Sequence, residues 1–215
     1  MTMQLELFLQ KYFQGLTLHP PLFYSWEPGI RFELADPSLT LEDARNQRRI
    51  EKRAFTLFDS VFENEDDLFM VKDFHCPKGD VVLQKRPLRF HKKYVKEHKA
   101  LYRLKHRIVP SVYGEENDVT HRFIFPCRKN HIKYRKLLMA IAAEDSTNSN
   151  RLLKKPKYAY NVYFINVTKK IIFHMYDDRG CDVIAADKKE ILYLYETYNE
   201  WILEYDREQI ESVFR

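Results

Sequence analysis

The amino-acid sequence predicts an α+β fold, with helices packed on an antiparallel sheet. Apolar residues make up 45% of the 215-residue chain and aromatic residues 14%, which is enough for a packed core. Segments with helical spacing alternate with short segments rich in β-branched and aromatic residues. Near the C-terminus their order predicts a three-stranded meander, then a long amphipathic helix and a short terminal helix. We expect a single domain over residues 1–215.

The first part of the chain alternates helix and strand signals. Residues 4–16 place apolar side chains at helical spacing, and residues 30–34 alternate apolar and charged side chains as a half-buried strand does. Thr40 is a suitable N-cap for the next helix, whose apolar stripe extends to Phe62. A strand is predicted at residues 68–71.

The middle of the chain is interrupted by prolines and a glycine. A basic helix is predicted within residues 91–107, a strand at residues 121–125 and a helix at residues 131–143. The polar run at residues 144–150 is typical of an exposed loop.

The C-terminal segment, about residues 158–214, has the clearest pattern. Two strands are predicted at residues 158–167 and 170–176, and a third strand is predicted at residues 182–185 after a tight turn. We expect Gly180 in that turn to adopt a positive φ, as glycine does at low cost.

Two aspartates are predicted to start the last helices. Asp187 and Glu190 have the spacing of a capping box, and apolar residues at helical spacing follow as far as Tyr205. Asp206 and Gln209 repeat that spacing near the end of the chain. A long helix and a short terminal helix are therefore expected to pack on the meander.

Several functional classes are excluded by what the sequence lacks. No stretch approaches the roughly 18 uncharged apolar residues of a membrane span, and the N-terminus lacks the basic region of a signal peptide. Cys76, Cys127 and Cys181 are far apart and odd in number, which favours a reducing compartment, so we expect a cytoplasmic protein. No phosphate-binding loop, nucleophile elbow or dinucleotide fingerprint is present, and we expect no cofactor.

Charge is distributed unevenly along a chain whose formal net charge is +5. Between Lys85 and Arg107 ten Lys or Arg residues accompany one acid, whereas residues 176–215 contain eleven Asp or Glu and five Lys or Arg. Cations interleaved with aromatic residues are typical of phosphate contacts combined with base stacking, so one hypothesis is nucleic-acid binding. Its candidate residues are Lys85, Arg86, Arg89, Lys92, Lys93, Lys96, Lys99 and Arg103. The alternative is a solvated helix face that the acidic C-terminal helices balance.

The densest polar cluster is the predicted turn that contains Asp177, Asp178, Arg179 and Asp182. Neighbouring carboxylates can bind a divalent cation or raise one another's pKa for acid–base catalysis, so a metal-dependent enzyme is a second alternative. The structural interpretation is a turn whose aspartates cap local N–H groups and are neutralised by Arg179. Turns of this composition are common, which favours the structural interpretation.

Cysteine and histidine residues suggest two further sites. The residue types that zinc prefers occur at His75, Cys76, Cys127 and His131, although these do not form two compact pairs. Cys181 would be a nucleophile only if His174 on the preceding strand faced it. The alternative for Cys76 is a small buried apolar residue, and for Cys181 it is that the two side chains point apart.

Two stretches of the C-terminal segment are similar to a known family. They are Tyr176-Asp177-Asp178-Arg179-Gly180-Cys181-Asp182-Val183-Ile184-Ala185 and Tyr198-Asn199-Glu200-Trp201-Ile202-Leu203-Glu204-Tyr205-Asp206-Arg207. Together they resemble the signature of an uncharacterised bacterial domain family of unknown function, common in Gram-positive bacteria. The resemblance implies a cytoplasmic bacterial protein and supplies no activity, catalytic residue or cofactor.

The hypothesis that we favour is a non-enzymatic protein that binds another protein, in the manner of an immunity protein or antitoxin. Catalytic motifs are absent, aromatic residues are plentiful enough to anchor an interface, and opposed charges favour fast association with a complementary partner. The acidic C-terminal face would meet a cationic partner. The candidate contact residues are Asp177, Asp178, Arg179, Asp182, Glu200, Glu204 and Glu208.

Overall fold

A seven-stranded antiparallel sheet organises the structure, a computed structural model that describes residues 4–80, 87–143 and 160–215. Its strands are β1 (Gly29–Glu33), β2 (Leu68–Pro77), β3 (Lys105–Pro110), β4 (Asp118–Cys127), β5 (Tyr160–Asn166), β6 (Ile171–Met175) and β7 (Gly180–Ala185). Their spatial order is β1-β7-β6-β5-β2-β4-β3, so β1 and β3 are the two edges. With its helices, this sheet confirms the predicted α+β class.

Helices and loops cover both faces of the sheet. The helices are α1 (Leu5–Phe13), α2 (Ala44–Val61), α3 (Arg89–Tyr94), α4 (Tyr134–Ala142), α5 (Leu192–Thr197) and α6 (Arg207–Phe214). Because side chains alternate along a strand, Met70 joins the apolar layer that includes α2, while Phe69 and Val71 join the layer that includes α1. In the described ranges no helix has both the length and the apolar character needed to cross a membrane.

Helix α2 begins three residues later than the sequence pattern suggests. The carboxylate of Asp43 accepts a hydrogen bond of 2.8 Å from the N–H of Arg45, so Asp43 is the N-cap. The carbonyl of Thr40 accepts from the Asp43 N–H in the preceding turn. The apolar stripe of α2 is as predicted, and its Phe58 ring lies 4.9 Å from Phe164 and 5.5 Å from Phe173.

The C-terminal meander is confirmed. Strand β6 pairs with β5 on one side and with β7 on the other, in antiparallel register. Gly180 is required for a reason other than the expected one, since it is not among the residues with positive φ. A Cβ at this position would lie 2.6 Å from the Phe32 carbonyl oxygen and would collide with the Tyr176 hydroxyl. Glycine therefore allows β1 and β6 to approach the start of β7.

The chain after the meander is not one long helix. The α-helical part is limited to α5, and short 3₁₀ turns at Lys188–Glu190, Asn199–Trp201 and Glu204–Asp206 replace the rest. Ile202 forms an antiparallel bridge with Phe32, and the Leu203 N–H donates to the Arg31 carbonyl at 2.9 Å. These bonds satisfy backbone groups that a helix would have used internally, and they cover the outer edge of β1.

The predicted basic helix within residues 91–107 is also divided. Helix α3 ends where Val95 bridges Ile132, a 3₁₀ turn follows at His98–Arg103, and β3 then pairs along β4. Pairing with the sheet therefore overrides helical spacing in this segment. The loop predicted at residues 144–150 lies outside the described residues, as do Lys85 and Arg86.

Candidate functional site

A buried network of charges lies beneath the C-terminal face. Arg31 of β1 donates from Nε to Asp182 Oδ1 at 2.8 Å and from Nη2 to Asp182 Oδ2 at 3.3 Å. Its Nη1 donates to Asp206 Oδ2 at 3.4 Å. All three residues are buried, so the network joins β1, β7 and the segment that covers the β1 edge.

Aromatic rings and a backbone group complete this network. The guanidinium carbon of Arg31 lies 4.6 Å from the ring centroid of Tyr24 and 5.6 Å from that of Tyr176. The Tyr24 hydroxyl donates to Asp206 Oδ1 at 2.8 Å, and the Phe23 N–H donates to Asp182. Burial alone would lower the pKa of Arg31, but its hydrogen bonds with Asp182 raise that pKa above the ordinary value. The guanidinium therefore stays charged while buried.

Asp206 has a role different from the one its spacing suggests. It was expected to cap the terminal helix, yet its side chain makes no capping bond to α6. Both of its carboxylate oxygens instead accept from Tyr24 and Arg31. The sequence does not indicate this inward orientation, because the donors lie 175 residues or more away along the chain.

An open groove lies directly above the network. It has a volume of about 750 Å³ and is lined by Tyr24, Tyr205, Asp206, Glu208, Gln209 and Ser212. The side chain of Tyr205 is 86% exposed and that of Tyr24 is 52% exposed. Exposed tyrosines beside a groove are the kind of residue that anchors protein interfaces. We call the surface formed by the groove, Glu200 and Glu204 the C-terminal face.

The predicted acidic contacts divide into exposed and internal groups. Glu200, Glu204 and Glu208 are exposed, and of these only Glu204 forms an ion pair among the described residues, with Arg207 at 2.6 Å. Asp182 is fully buried against Arg31 and is not accessible to a partner. Two carboxylates on the C-terminal face therefore remain available for a cation from outside.

The turn at residues 177–180 has the features of the structural interpretation. Asp177 is buried, and its carboxylate accepts from the backbone N–H and the Nε of Arg179, both at 2.8 Å. Asp178 is half-buried and Arg179 is exposed. Within the described ranges, no group of three or more His, Cys, Asp or Glu side chains is arranged to hold a metal ion. Asp177 binds Arg179 and Asp182 binds Arg31, so the two carboxylates do not form a shared metal site.

The four residues with zinc-binding side chains do not converge. In the ladder of β2 and β4, Cys76 lies opposite Val119 and Cys127 lies opposite Leu68, at the two ends of the ladder. His75 is bound to Thr120 at 2.9 Å and to Asn161 at 3.0 Å. The two cysteines are buried, and burial raises the pKa of the Cys127 thiol to about 12.

Cys181 and His174 point to opposite faces of the sheet. Cys181 lies in the apolar layer of α2, whereas the His174 ring stacks at 4.6 Å on Tyr163, whose side chain lies in the layer of α1. Burial raises the pKa of the Cys181 thiol well above its ordinary value. The thiol is therefore neutral and inaccessible, so a nucleophilic role is not supported.

The basic candidate residues lie at the opposite end of the sheet from the C-terminal face. Four of them, Arg89, Lys92, Lys96 and Lys99, are exposed. Lys93 and Arg103 are half-buried, with their cations 5.2 Å from the ring of Tyr94 and 5.7 Å from the ring of Phe125. They are carried by α3 and the following 3₁₀ turn, which lead into edge strand β3.

Two comparisons with known proteins identify the family. The sequence profile of a domain of unknown function, DUF3885, matches residues 5–206. The chain belongs to the DUF3885 family. A relative from Bacillus subtilis (strain 168), described as the uncharacterized protein YnaE, is 30% identical, over 92% of this chain and 96% of the relative. No solved structure matches. The expected resemblance to an uncharacterised bacterial family is confirmed.

The DUF3885 match includes every residue of the buried network. Asp182 and Asp206 come from the two stretches that carry the resemblance, and the structure brings both to Arg31. Sequence reasoning missed Arg31 because alternation with Ile30 and Phe32 predicted a solvent-facing side chain. The segment at residues 18–26 covers that face, and no local signal predicts this.

Proposed function

We propose that this DUF3885 protein is a non-enzymatic, cytoplasmic binding protein whose C-terminal face recognises a basic protein partner. An immunity protein or antitoxin that neutralises its partner is the concrete form of the proposal. The observation that carries it is the groove between two exposed tyrosines, Tyr24 and Tyr205. Tyrosine supplies a large contact area at low entropic cost, so it is enriched among the residues that dominate binding energy.

The exposed carboxylates of the C-terminal face favour a partner with a basic surface. Glu200 and Glu208 are exposed without an ion pair to any described residue, so their charges are available to a cationic surface. Charges at the rim of an interface accelerate association more than they strengthen the final complex. We therefore expect the carboxylates to set the association rate and the tyrosines to set the dissociation rate.

Rigidity also supports this use of the face. The Tyr24 hydroxyl and the Asp206 carboxylate hold each other at 2.8 Å, and Arg31 anchors Asp206 from below. A surface that is ordered before binding loses less conformational entropy on association. The metal-dependent alternative has no comparable support, because Asp182 binds Arg31 and Asp177 binds Arg179.

The test begins with a tagged pull-down from the native cytoplasm, in which half of the lysate is treated with nuclease. A partner that persists after nuclease treatment is purified, and its affinity for the chain is measured directly. We expect Tyr205→Ala to weaken binding about tenfold or more, as loss of an aromatic anchor does. Glu200→Lys with Glu208→Lys should slow association.

Matched controls are available on the same chain. Tyr102 is also 86% exposed but lies beyond the groove, so Tyr102→Ala should leave protein binding unchanged. Glu42→Lys with Glu115→Lys reverses two other exposed carboxylates. A complex that is unaffected by the changes at Tyr205, Glu200 and Glu208, or equally affected by both sets, would contradict the proposal.

A further inference from the structure

Most cations at residues 89–107 have no carboxylate partner in the part of the chain that the structure describes. Among the described residues, seven form no ion pair: Arg89, Lys92, Lys93, Lys96, Lys99, Arg103 and Lys105. Arg107 pairs with Glu6 at 3.2 Å, and both of those side chains are about half exposed. We call the surface formed by residues 89–107 the basic edge. Its positive charge is available to an external anion.

The acidic C-terminal face does not neutralise the basic edge. It covers β1, whereas the basic edge includes β3, so six strand spacings separate them. At about 4.8 Å per spacing, the two edges are about 29 Å apart along the sheet. The Debye length at physiological salt is about 8 Å, so each surface presents its own charge to solvent. This separation argues against internal balance, the sequence-based alternative.

The cations are arranged along successive exposed faces. Arg89 and Lys92 are three residues apart in α3, which places them on one side of that helix, and Lys96 follows in the extended segment after the helix ends. Lys99 and Tyr102 are three residues apart in the 3₁₀ turn, where such side chains eclipse each other. Exposed cations therefore follow one another along the chain from α3 to the 3₁₀ turn, where Tyr102 is an exposed aromatic ring.

Exposed rings lie within the same surface. Tyr102 is 86% exposed, and the His106 ring is stacked at 4.5 Å on Phe123 and at 5.1 Å on His121. His106 itself is exposed on β3. Flat rings beside exposed cations match the requirements of unpaired bases and their phosphates, because each base can stack while its phosphate meets a cation.

Protection of an open strand edge explains only part of this pattern. Lysine, arginine and proline on an edge strand prevent pairing with other chains, and Lys105, Arg107 and Pro110 of β3 fit that role. The cations of α3 and the 3₁₀ turn are outside the strand, so edge protection does not require them. A ligand that extends beyond β3 would account for these cations.

We infer that the basic edge binds single-stranded nucleic acid. The cations would contact phosphates, and Tyr102 and His106 would stack on bases. A duplex is disfavoured because its bases are already stacked on one another. This binding site is separate from the C-terminal face, so either proposal can fail without the other.

The experiment measures fluorescence anisotropy of a labelled 20-nucleotide single strand, and of its duplex, with the full chain. Five phosphate contacts would make the affinity fall about 100-fold between 50 and 200 mM salt. Lys92→Ala, Lys96→Ala and Lys99→Ala combined should reduce the salt slope by about 2. Tyr102→Ala should weaken single-strand binding about tenfold with an unchanged salt slope.

A control variant distinguishes the surface from net charge. Arg48→Ala, Lys52→Ala and Lys189→Ala remove three other exposed cations, and they should leave the affinity nearly unchanged. Equal losses in the two triple variants would overturn the inference, as would absence of binding at 50 mM salt. Tighter binding of duplex, or of poly-glutamate, would overturn it as well. Circular dichroism of each variant confirms that the chain is folded.

Discussion

The two edge strands of the sheet, β1 and β3, differ in how their open sides are protected. The β1 edge is covered by the segment at residues 202–203, and a buried arginine with two aspartates fixes that cover in place. The β3 edge has no such cover from the described residues and presents cations instead. Charge therefore contributes to structure at one edge and remains available for binding at the other.

This difference has an energetic consequence. A charge that is buried with its partners has lost its hydration, so removal of one partner leaves an uncompensated ion in the interior. An exposed cation remains hydrated whether or not a partner is present. Mutations at the β1 edge should therefore change stability, and those at the β3 edge should change binding. Variants at the two edges test this contrast.

Asp182→Ala should have the largest effect. It leaves Arg31 buried with only Asp206 at 3.4 Å, and breaking a buried pair in this way costs about 3–5 kcal/mol of unfolding free energy. Urea denaturation measures the loss. Arg128→Ala, which removes an exposed pair with Glu65, is the control and should cost less than about 1 kcal/mol. Similar losses of unfolding free energy in the two variants would contradict the expectation that the buried pair stabilises the fold more than the exposed pair does.

Gly180→Ala should destabilise the same edge by steric conflict. The added Cβ would lie 2.6 Å from the Phe32 carbonyl oxygen and would collide with the Tyr176 hydroxyl, which costs about 1–3 kcal/mol. Tyr176→Phe combined with Gly180→Ala removes the collision with the hydroxyl, although the ring carbon Cζ would still lie 2.9 Å from the Cβ, and should recover part of the loss. If Gly180→Ala unfolds at the wild-type urea concentration, the close approach is not a constraint.

Acidification should destabilise the fold through two buried histidines, one of which, His174, lies opposite Asp182 in the pairing of β6 with β7. Burial lowers the pKa of His75 to about 4 and that of His174 to about 3. The unfolded chain, with an ordinary pKa near 6.5, then binds more protons than the folded chain as pH falls below that value. Each histidine should cost about 1 kcal/mol per pH unit between pH 6 and pH 5.

Urea denaturation at pH 7, 6 and 5 measures this dependence. His174→Phe removes one titrating group and should reduce the dependence by about one proton. A slope that does not change in His174→Phe would mean that this ring titrates normally in the folded protein.

The smallest effect is expected at the basic edge. Lys92→Ala, Lys96→Ala and Lys99→Ala together should change the unfolding free energy by less than about 0.5 kcal/mol per site, because these exposed cations form no ion pair with any described residue. The same variant should lose nucleic-acid affinity. A loss of unfolding free energy as large as that of Asp182→Ala would show that charged side chains stabilise the fold equally at the two edges.

Local patterns were sufficient for a large part of the fold. The helices α1 and α2 and the meander of β5, β6 and β7 follow from apolar periodicity, because each buries one regular face. The concentration of acid at the C-terminus and of base in the middle is also visible along the chain. The same patterns predicted exposed acids at Glu200, Glu204 and Glu208, and these are exposed.

Two segments show where local patterns mislead. Residues 198–206 have helical spacing, yet their backbone bonds to β1, so Ile202 is buried without a helix, while Tyr205, which that spacing placed toward the core, is 86% exposed. Residues 105–110 do not form a helix either. They pair with β4 as a strand, although a helix was predicted within residues 91–107. In both segments a sheet edge competes with the helix for backbone hydrogen bonds, and the sequence alone does not show that the edge is near.

By itself, the sequence determined the α+β class, the core-forming elements and the family, because those depend on periodicity and composition within short windows. Only the tertiary structure decided that Arg31, Asp182 and Asp206 meet, because the two contacts of Arg31 join residues 151 and 175 positions apart. It also decided that acid and base lie at opposite edges. Strand order sets that separation, and strand order follows from the packing of the whole sheet.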